Sequence, residues 1–311
     1  MPTPQFNIIK RVVNFSVATI TTDNIKVNAT ALANTPDTGS LTEPVRVVNE
    51  EFDALNEANN VSSLLREFAR NAAVDGDGCM FSYWDANVPA GHGKRGAIRT
   101  EIISNTRVIF GNPNDRLVQN QPYIQIVKRE IARNVRKRAK ENGSPAWANI
   151  TPDTDASNAT DSAKYTDDKV TMLLTMWRDE ETGEIWAYES TQSCPVKESY
   201  NLGIRLYPIC WLCWDYIQDS YHGQAMTTGL IPNQIFINKA YAMSMLSMMR
   251  TSFPKIIYDR TRVPGWDNRV GGAIPVAGGD INSVAKIIDP ASISPQISQF
   301  IQMAIEETEQ S

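Results

Sequence analysis

The chain has 311 residues and a formal net charge of −5, with 42% hydrophobic and 21% charged residues. This composition is ordinary for a folded protein and excludes a disordered chain, while the excess of acids disfavours a protein that neutralises many DNA phosphates. No apolar run reaches the ~20 residues that span a bilayer, so we expect an intracellular origin and no membrane contact.

The first part of the chain combines helical and strand-like patterns. Apolar residues recur at helical spacing in three segments, predicted as helices: Gln5–Thr19, Asn49–Ala58 and Val61–Ala73. Asn60 is the predicted N-cap of the third helix, which Asp75–Gly78 ends. Alternating or β-rich composition predicts strands at Ile25–Ala29, Cys79–Asp85, Ile98–Ile103, Thr106–Phe110 and Tyr123–Val127, and Ala33–Pro44 is predicted as a surface loop.

The middle of the chain begins with a strongly basic segment. Lys128–Glu141 carries seven lysines and arginines, with Ile131, Val135 and Ala139 spaced four apart, and is predicted as a basic amphipathic helix. Its charged face either is solvated or contacts nucleic acid, and the absence of interleaved aromatic residues favours the solvated face. Gly143–Asp168 is polar and is expected to be a mobile loop or a hypervariable insertion. Val170–Trp177 and Glu184–Glu189 then form a predicted β-hairpin whose turn uses Gly183.

The last third has a different texture. Pro232–Arg250 is predicted as a helix that is apolar nearly all round, and such helices are normally buried on several sides. Phe253–Asp259 is predicted as a strand and Gly265–Gly279 as a small β element. A final helix starts at Pro295 and has one apolar face, formed by Ile297, Phe300, Ile301, Ala304 and Ile305. Glutamates lie near its C-terminal end, where the helix dipole disfavours acids, and no Gly or Asn cap follows. We therefore expect the native helix to continue and the chain to be a fragment.

Three aspartates are the candidates for metal binding. Asp75, Asp77 and Asp85 could hold a divalent cation, but their spacing is not that of a calcium loop, and Asp-Gly pairs after a helix are usually turns. Cys210 and Cys213 resemble half of a zinc site, yet no second ligand pair follows, so reduced, buried thiols in a strand are expected. We therefore predict no metal and no cofactor.

Other motifs give equally weak signals of chemistry. Gly91–Gly96 fits the dinucleotide fingerprint but lacks the preceding strand and the following helix that the motif requires. His222 is the candidate for a catalytic triad, although a loop histidine beside a glycine is more often a hydrogen-bonding turn residue. The sequence therefore predicts a protein without enzymatic activity.

The order of several motifs resembles the portal, or head-to-tail connector, family of tailed bacteriophages. The motifs that carry this resemblance, in chain order, are Glu67–Arg70 with Gly76–Gly78 and Tyr83–Asp85, Val108–Pro113, Gln121–Ile124, Tyr221–Gly223, Leu230–Gln234 with Asn238–Lys239, and Phe253–Ile256. The resemblance covers most of the chain and is one of order and texture.

The resemblance implies an α+β fold with a mixed wing domain, a protruding two-helix stem and a small β-rich clip. By position, residues 1–223 would form the wing, 224–252 the stem helix, 253–290 the clip and 291–311 the returning stem helix. The family forms dodecameric rings at the capsid vertex of the virion, through which double-stranded DNA is packaged and ejected. The implied partners are further copies of the chain, the terminase large subunit, a head-tail adaptor, and capsid or scaffold protein.

Roles for individual residues follow from the same resemblance and from helix faces. We expect subunit packing in the stem by Ile235, Asn238, Tyr241, Met245 and Met249. A polar stripe on the last helix is expected to face the channel: Gln296, Gln299, Gln302 and Glu306. Docking of the motor or adaptor is expected at the clip residues Lys255, Tyr258, Trp266 and Lys286.

Two other classes of function remain open at this point. One is a metal-dependent hydrolase or nuclease that uses Asp75, Asp77 and Asp85. The other is a monomeric peptide-binding module that uses the methionine-rich segment Met243–Met249 as a groove.

Overall fold

The computed structural model describes residues 6–22, 27–30, 42–89, 95–153, 168–251, 255–263, 265, 275–280, 285–288 and 295–310. The chain is of the α+β class, with helices and antiparallel sheets. It divides into two compact units, one formed by Val13–Thr228 and the other by Met1–Val12 together with Gly229–Ser311. The resemblance instead places the first twelve residues in the wing, together with residues 13–223.

The helices are α1 (Ile8–Ile20), α2 (Thr42–Ala58), α3 (Val61–Asp75), α4 (Ala132–Glu141), α5 (Met226–Thr251) and α6 (Pro295–Gln310). The strands are β1 (Asp77–Pro89), β2 (Arg95–Ile103), β3 (Val108–Phe110), β4 (Tyr123–Ile131), β5 (Lys169–Arg178), β6 (Ile185–Thr191), β7 (Pro195–Asn201), β8 (Ile209–Cys213), β9 (Lys255–Tyr258) and β10 (Ala285–Ile288). No described helix combines the length and the apolar content that a bilayer crossing requires.

The larger unit contains a three-stranded sheet in the order β2-β1-β8, with α3 against it. The buried face of α3 is built mainly from small residues, Ala69, Ala72 and Ala73, so the helix approaches the sheet closely. A Cβ on Gly78 of β1 would lie 2.7 Å from the carbonyl oxygen of Phe68. Glycine is therefore required at this crossing of helix and strand.

A five-stranded sheet in the order β3-β4-β5-β6-β7 completes this unit. One core joins the two sheets, because Cys79 and Phe81 of β1 are buried in the same cluster as residues of the larger sheet. Ile124 and Ile126 of β4 and Met176 of β5 are fully buried there. The predicted hairpin is confirmed as β5 and β6, and its turn contains Gly183 at a φ of +70°.

The predicted helix Lys128–Glu141 is wrong in its first turn. Lys128–Ile131 belongs to β4, which pairs without interruption with β5 from Tyr123 to Ile131. The helical spacing of apolar residues holds only from Ala132, where Val135 and Ala139 are buried beside Ile150. Since the ladder satisfies the backbone groups of residues 128–131, strand pairing prevails over local periodicity.

The first part of the segment predicted as a loop after α4 packs into the core of the larger unit. Residues 147–149 form a 3₁₀ turn, and Ile150 is fully buried. The Arg136 Nε–H donates to the Ile150 carbonyl at 2.6 Å, and Asp153 accepts hydrogen bonds from the backbone and the hydroxyl of Thr171, both at 2.6 Å. Residues 154–167 lie outside the described part of the chain.

Several smaller predictions need correction. Asn60 has a left-handed backbone and makes no side-chain cap bond, whereas the amide of Asn59 binds the edge of β2 at Ile98 and Thr100. Helix α2 begins at Thr42, within the predicted loop, where Pro44 fits the first turn. Residues 27–29 are not a strand, and residues 25 and 26 are outside the described ranges. Cys210 lies in β8 but is exposed, so the predicted burial is wrong for that thiol.

The smaller unit combines the start of α1 with α5, α6 and a two-stranded sheet. Helix α5 starts at Met226, before the predicted start, and includes Pro232. The strand predicted at Phe253–Asp259 is confirmed as β9, which pairs with β10. The small β element predicted at Gly265–Gly279 is not found at its described residues, 265 and 275–279, and β10 begins after it, at Ala285. The last predicted helix is confirmed as α6.

Candidate functional site

The apolar circumference of α5 is buried on one side only. Leu230 and Ile237 are buried, and the side-chain oxygen of Gln234 on that side accepts a hydrogen bond from the backbone N–H of Ile8 at 2.8 Å. Large apolar side chains on the other sides of the helix remain exposed, among them Ile231, Ile235, Phe236, Met243 and Met249. Met243 is 71% exposed. This open apolar surface, the α5 face, is the most prominent feature of the smaller unit.

The five predicted packing residues of α5 do not share one environment. Ile235 is 48% and Met249 is 49% exposed, so both belong to the α5 face. Asn238 and Tyr241 instead contact the start of the same chain: Asn238 Oδ1 accepts from the Phe6 N–H at 3.4 Å, and the Tyr241 ring lies 4.6 Å from the Phe6 ring. Met245 is partly buried.

The predicted polar stripe of α6 is exposed at all four positions, Gln296, Gln299, Gln302 and Glu306. Gln302 Nε2 donates to Glu306 Oε1 at 3.2 Å. The opposite side is the inner one, where Ile301 and Thr308 are buried. Met303 lies among the polar residues at 53% exposure, an interruption that the sequence reading did not note.

The apolar face predicted for α6 is therefore only partly correct. Ile297 and Phe300, assigned to that face, are about half exposed, and the Phe300 ring meets the Phe236 ring of α5 edge-on at 5.9 Å. Glu309 on the same helix forms an ion pair of 2.7 Å with Arg11 of α1. The three helices thus contact one another while each still exposes apolar side chains.

The predicted docking residues of the clip are placed as follows. Lys255 pairs with Ile288, and Lys286 pairs with Ile257, in the ladder between β9 and β10. Tyr258 pairs with Ala285 and is 38% exposed. Trp266 lies outside the described residues.

The three aspartates of the metal hypothesis do not converge. Asp77 and Asp85 are eight residues apart on β1, about 26 Å at the usual rise of a strand, which is too far to share an ion. Asp75 ends α3 and is exposed. Among the residues that the structure describes, no group of three potential metal ligands occurs.

Asp77 is instead the centre of a buried hydrogen-bond cluster, here called the Asp77 clasp. Its side chain is 1% exposed and accepts from His222 Nδ1 and from the backbone N–H of Gly223, both at 2.6 Å. The thiol of Cys213 lies beside the same carboxylate. The clasp therefore joins the start of β1 to the segment that leads from β8 into α5.

The sequence reading did not find this clasp, because 145 residues separate Asp77 from His222. It did identify His222 as a hydrogen-bonding turn residue, and its backbone N–H donates to Ser220 Oγ at 3.1 Å. The available signal was the glycines that flank both partners. A Cβ on Gly76 would lie 2.5 Å from the carbonyl oxygen of Gly223. The two turns can therefore approach this closely only if position 76 is a glycine.

The clasp contains a thiol, an imidazole and a carboxylate, the groups of a cysteine catalytic triad, but its properties differ from those of such a triad. Burial and the neighbouring carboxylate of Asp77 raise the pKa of Cys213 to about 11, so the thiol stays protonated at neutral pH. A catalytic cysteine needs the opposite shift. The Cys213 thiol also donates to the Tyr221 carbonyl at 3.2 Å. The arrangement serves to hold the turn.

A cavity of about 750 Å³ lies in the larger unit beside β1. Three of its charged groups lie together: Arg138 is 3.1 Å from Glu130 and 3.6 Å from Glu189. Tyr200 donates to Glu189 at 3.2 Å, and burial together with that carboxylate raises the pKa of Tyr200. The network stabilises the wall of the cavity.

Comparison with known proteins gives no family: no protein-family model matches the chain, and no curated protein matches it.

Proposed function

We propose that this chain is a subunit of a ring-forming portal protein of tailed bacteriophages. The observation that carries the proposal is the α5 face, an apolar helix surface that the contacts among the described residues leave partly exposed. Soluble proteins rarely expose extended apolar patches unless another molecule covers them. In a ring, the neighbouring copies supply that cover on every subunit at once.

The energetics favour burial of the α5 face by another protein surface. Ile235 is 48% and Phe236 is 47% exposed, so about half of each side chain remains in water. Burying the rest would stabilise an assembly by about 1 kcal/mol for each such side chain. Further exposed residues of α5 would add to this contribution in a ring, where each subunit has two neighbours.

The polar stripe of α6 fits a surface that touches DNA without gripping it. Gln296, Gln299, Gln302 and Glu306 offer no positive charge to phosphates, so DNA could slide past them. In this proposal the portal ring sits at the capsid vertex and conducts double-stranded DNA. The terminase large subunit supplies the ATP hydrolysis, and the adaptor and the motor dock at the β9–β10 region that includes Tyr258.

Sedimentation velocity of the full-length protein tests the proposal. We expect a ring-sized species in the wild type and its loss in Phe236→Asp. Leu206→Asp is the matched control, because Leu206 is 63% exposed outside α5, and this variant should sediment like the wild type. A wild type that stays monomeric at all concentrations would contradict the portal proposal and favour a peptide-binding module.

A further inference from the structure

Two exposed patches of opposite charge lie on different helices of the larger unit. The first, the α2 patch, surrounds Val47, which is 48% exposed, and includes Glu43, Glu50 and Glu51. These residues are three or four positions from Val47 and are therefore its neighbours on the helix surface. Arg46 pairs with Glu43 and Glu50 and offsets one of the three negative charges, so the patch keeps a net negative charge.

The second, the α4 patch, is basic. Arg133, Lys137 and Lys140 follow one another at spacings of four and three on the outer side of α4, and all are exposed. Ile131 precedes them and is 48% exposed. Lys137 has Glu141 at 3.9 Å, a loose surface pair that leaves most of the positive charge available.

The two patches are complementary in two respects. Each combines one half-exposed aliphatic side chain with charges of a single predominant sign, the arrangement of an apolar contact with a polar rim. Within the described residues, no hydrogen bond or ion pair joins α2 to α4 of the same chain. The α2 helix also has no buried residue among its described side chains, so its outer surface is available.

We propose that the α2 patch of one copy docks on the α4 patch of the next copy of the same chain. Two different surfaces then meet, so the contact is head-to-tail, and repeating it generates a closed ring when the rotation between copies closes. This proposal rests on the proposed function and adds to it a second contact between subunits, formed by the larger unit.

Charge favours another copy over DNA as the occupant of the α4 patch. Proteins that hold DNA electrostatically usually contact six or more phosphates, about twice the number of cations in the patch. Glu141 lies in the same turn, and the chain as a whole carries a net charge of −5. The two patches match in size, since the α2 patch holds three acids and Arg46, and the α4 patch holds three bases with Glu141 beside them.

Paired charge reversal in the full-length protein tests this docking. We expect that Arg133→Glu with Lys137→Glu raises the concentration for half-assembly about tenfold, because like charges then face each other. Glu50→Lys with Glu51→Lys should have an effect of the same size. Combining all four substitutions should return assembly to within about threefold of the wild type, since the pairs are restored in reverse.

The control reverses two acids far from either patch, Glu180→Lys with Glu181→Lys in the exposed turn between β5 and β6, and should assemble like the wild type. The docking proposal is overturned if both double variants assemble like the wild type, or if the variant with all four substitutions assembles no better than either double variant. If only the α4 reversal weakens binding to a plain DNA duplex and neither reversal changes assembly, the α4 patch is a DNA surface instead.

The outcomes for the two proposals are distinguishable. A wild-type protein that forms no ring removes the proposed function itself. A wild-type ring that tolerates both reversals removes only the contact between α2 and α4.

Discussion

Replacing Asp77 with alanine removes the acceptor at the centre of the Asp77 clasp. The backbone N–H of Gly223 then has no partner in a site where the native carboxylate is 1% exposed, and such a buried donor costs about 1–3 kcal/mol. The His222 side chain is 45% exposed and can bind water instead, and the Cys213 thiol keeps its hydrogen bond to the Tyr221 carbonyl. We therefore expect Asp77→Ala to lower the free energy of unfolding by about 2 kcal/mol.

Urea unfolding followed by tryptophan fluorescence measures this change, because Trp211 Nε1 donates to the Tyr221 carbonyl within the same turn. Asp77→Asn keeps one acceptor oxygen for Gly223 and should cost less, about 1 kcal/mol. The control is Asp53→Ala, at an exposed position of α2, which should stay within about 0.5 kcal/mol of the wild type. If Asp77→Ala is as stable as this control, the clasp does not hold the turn and our reasoning is wrong.

Three further predictions concern the larger unit. Gly223→Ala should lower the free energy of unfolding by about 1–3 kcal/mol in urea titrations, since its Cβ would lie 2.8 Å from both Cys213 Cβ and the Gly76 carbonyl oxygen; wild-type stability would refute the close approach. Alkylation of Cys213 by iodoacetamide, measured by mass spectrometry, should be slow at pH 8 and accelerate toward pH 11, because the raised pKa of about 11 keeps the thiol protonated; the rate of a free cysteine would contradict this. Ile126→Ala should cost about 2–5 kcal/mol in the same titrations, whereas Ile109→Ala, at a 43% exposed site on the adjacent strand, should cost less than about 1 kcal/mol; equal costs would contradict the assigned core.

Local sequence patterns predicted the elements that local interactions determine. The Gly183 turn sets the β5–β6 hairpin, and the apolar spacing of α3 matches its buried side at Phe68 and Ala72. The helix prediction failed at Lys128–Ile131 because charged residues there are compatible with a solvated helix and equally with a strand. In β4, Lys128 pairs with Glu101 at 3.0 Å and lies over the Phe81 and Tyr83 rings, contacts between distant segments that no local period encodes.

The candidate sites show the same division. The apolar circumference of α5 was readable from sequence, but which side the chain covers itself depends on Gln234 binding the backbone of Ile8, more than 200 residues away. The Asp77 clasp likewise depends on two glycine turns that meet only in the folded chain. The positive charge of α4 was evident from the sequence. Only the structure separates side chains that are paired, such as Arg138, from those of the exposed α4 patch.

The most direct test of the portal proposal is electron microscopy of the full-length protein in negative stain. We expect annular particles with a central channel and a fixed number of subunits, which Phe236→Asp should disperse. A field of small monomers from a folded wild-type protein would contradict the claim that other copies of the chain cover the α5 face.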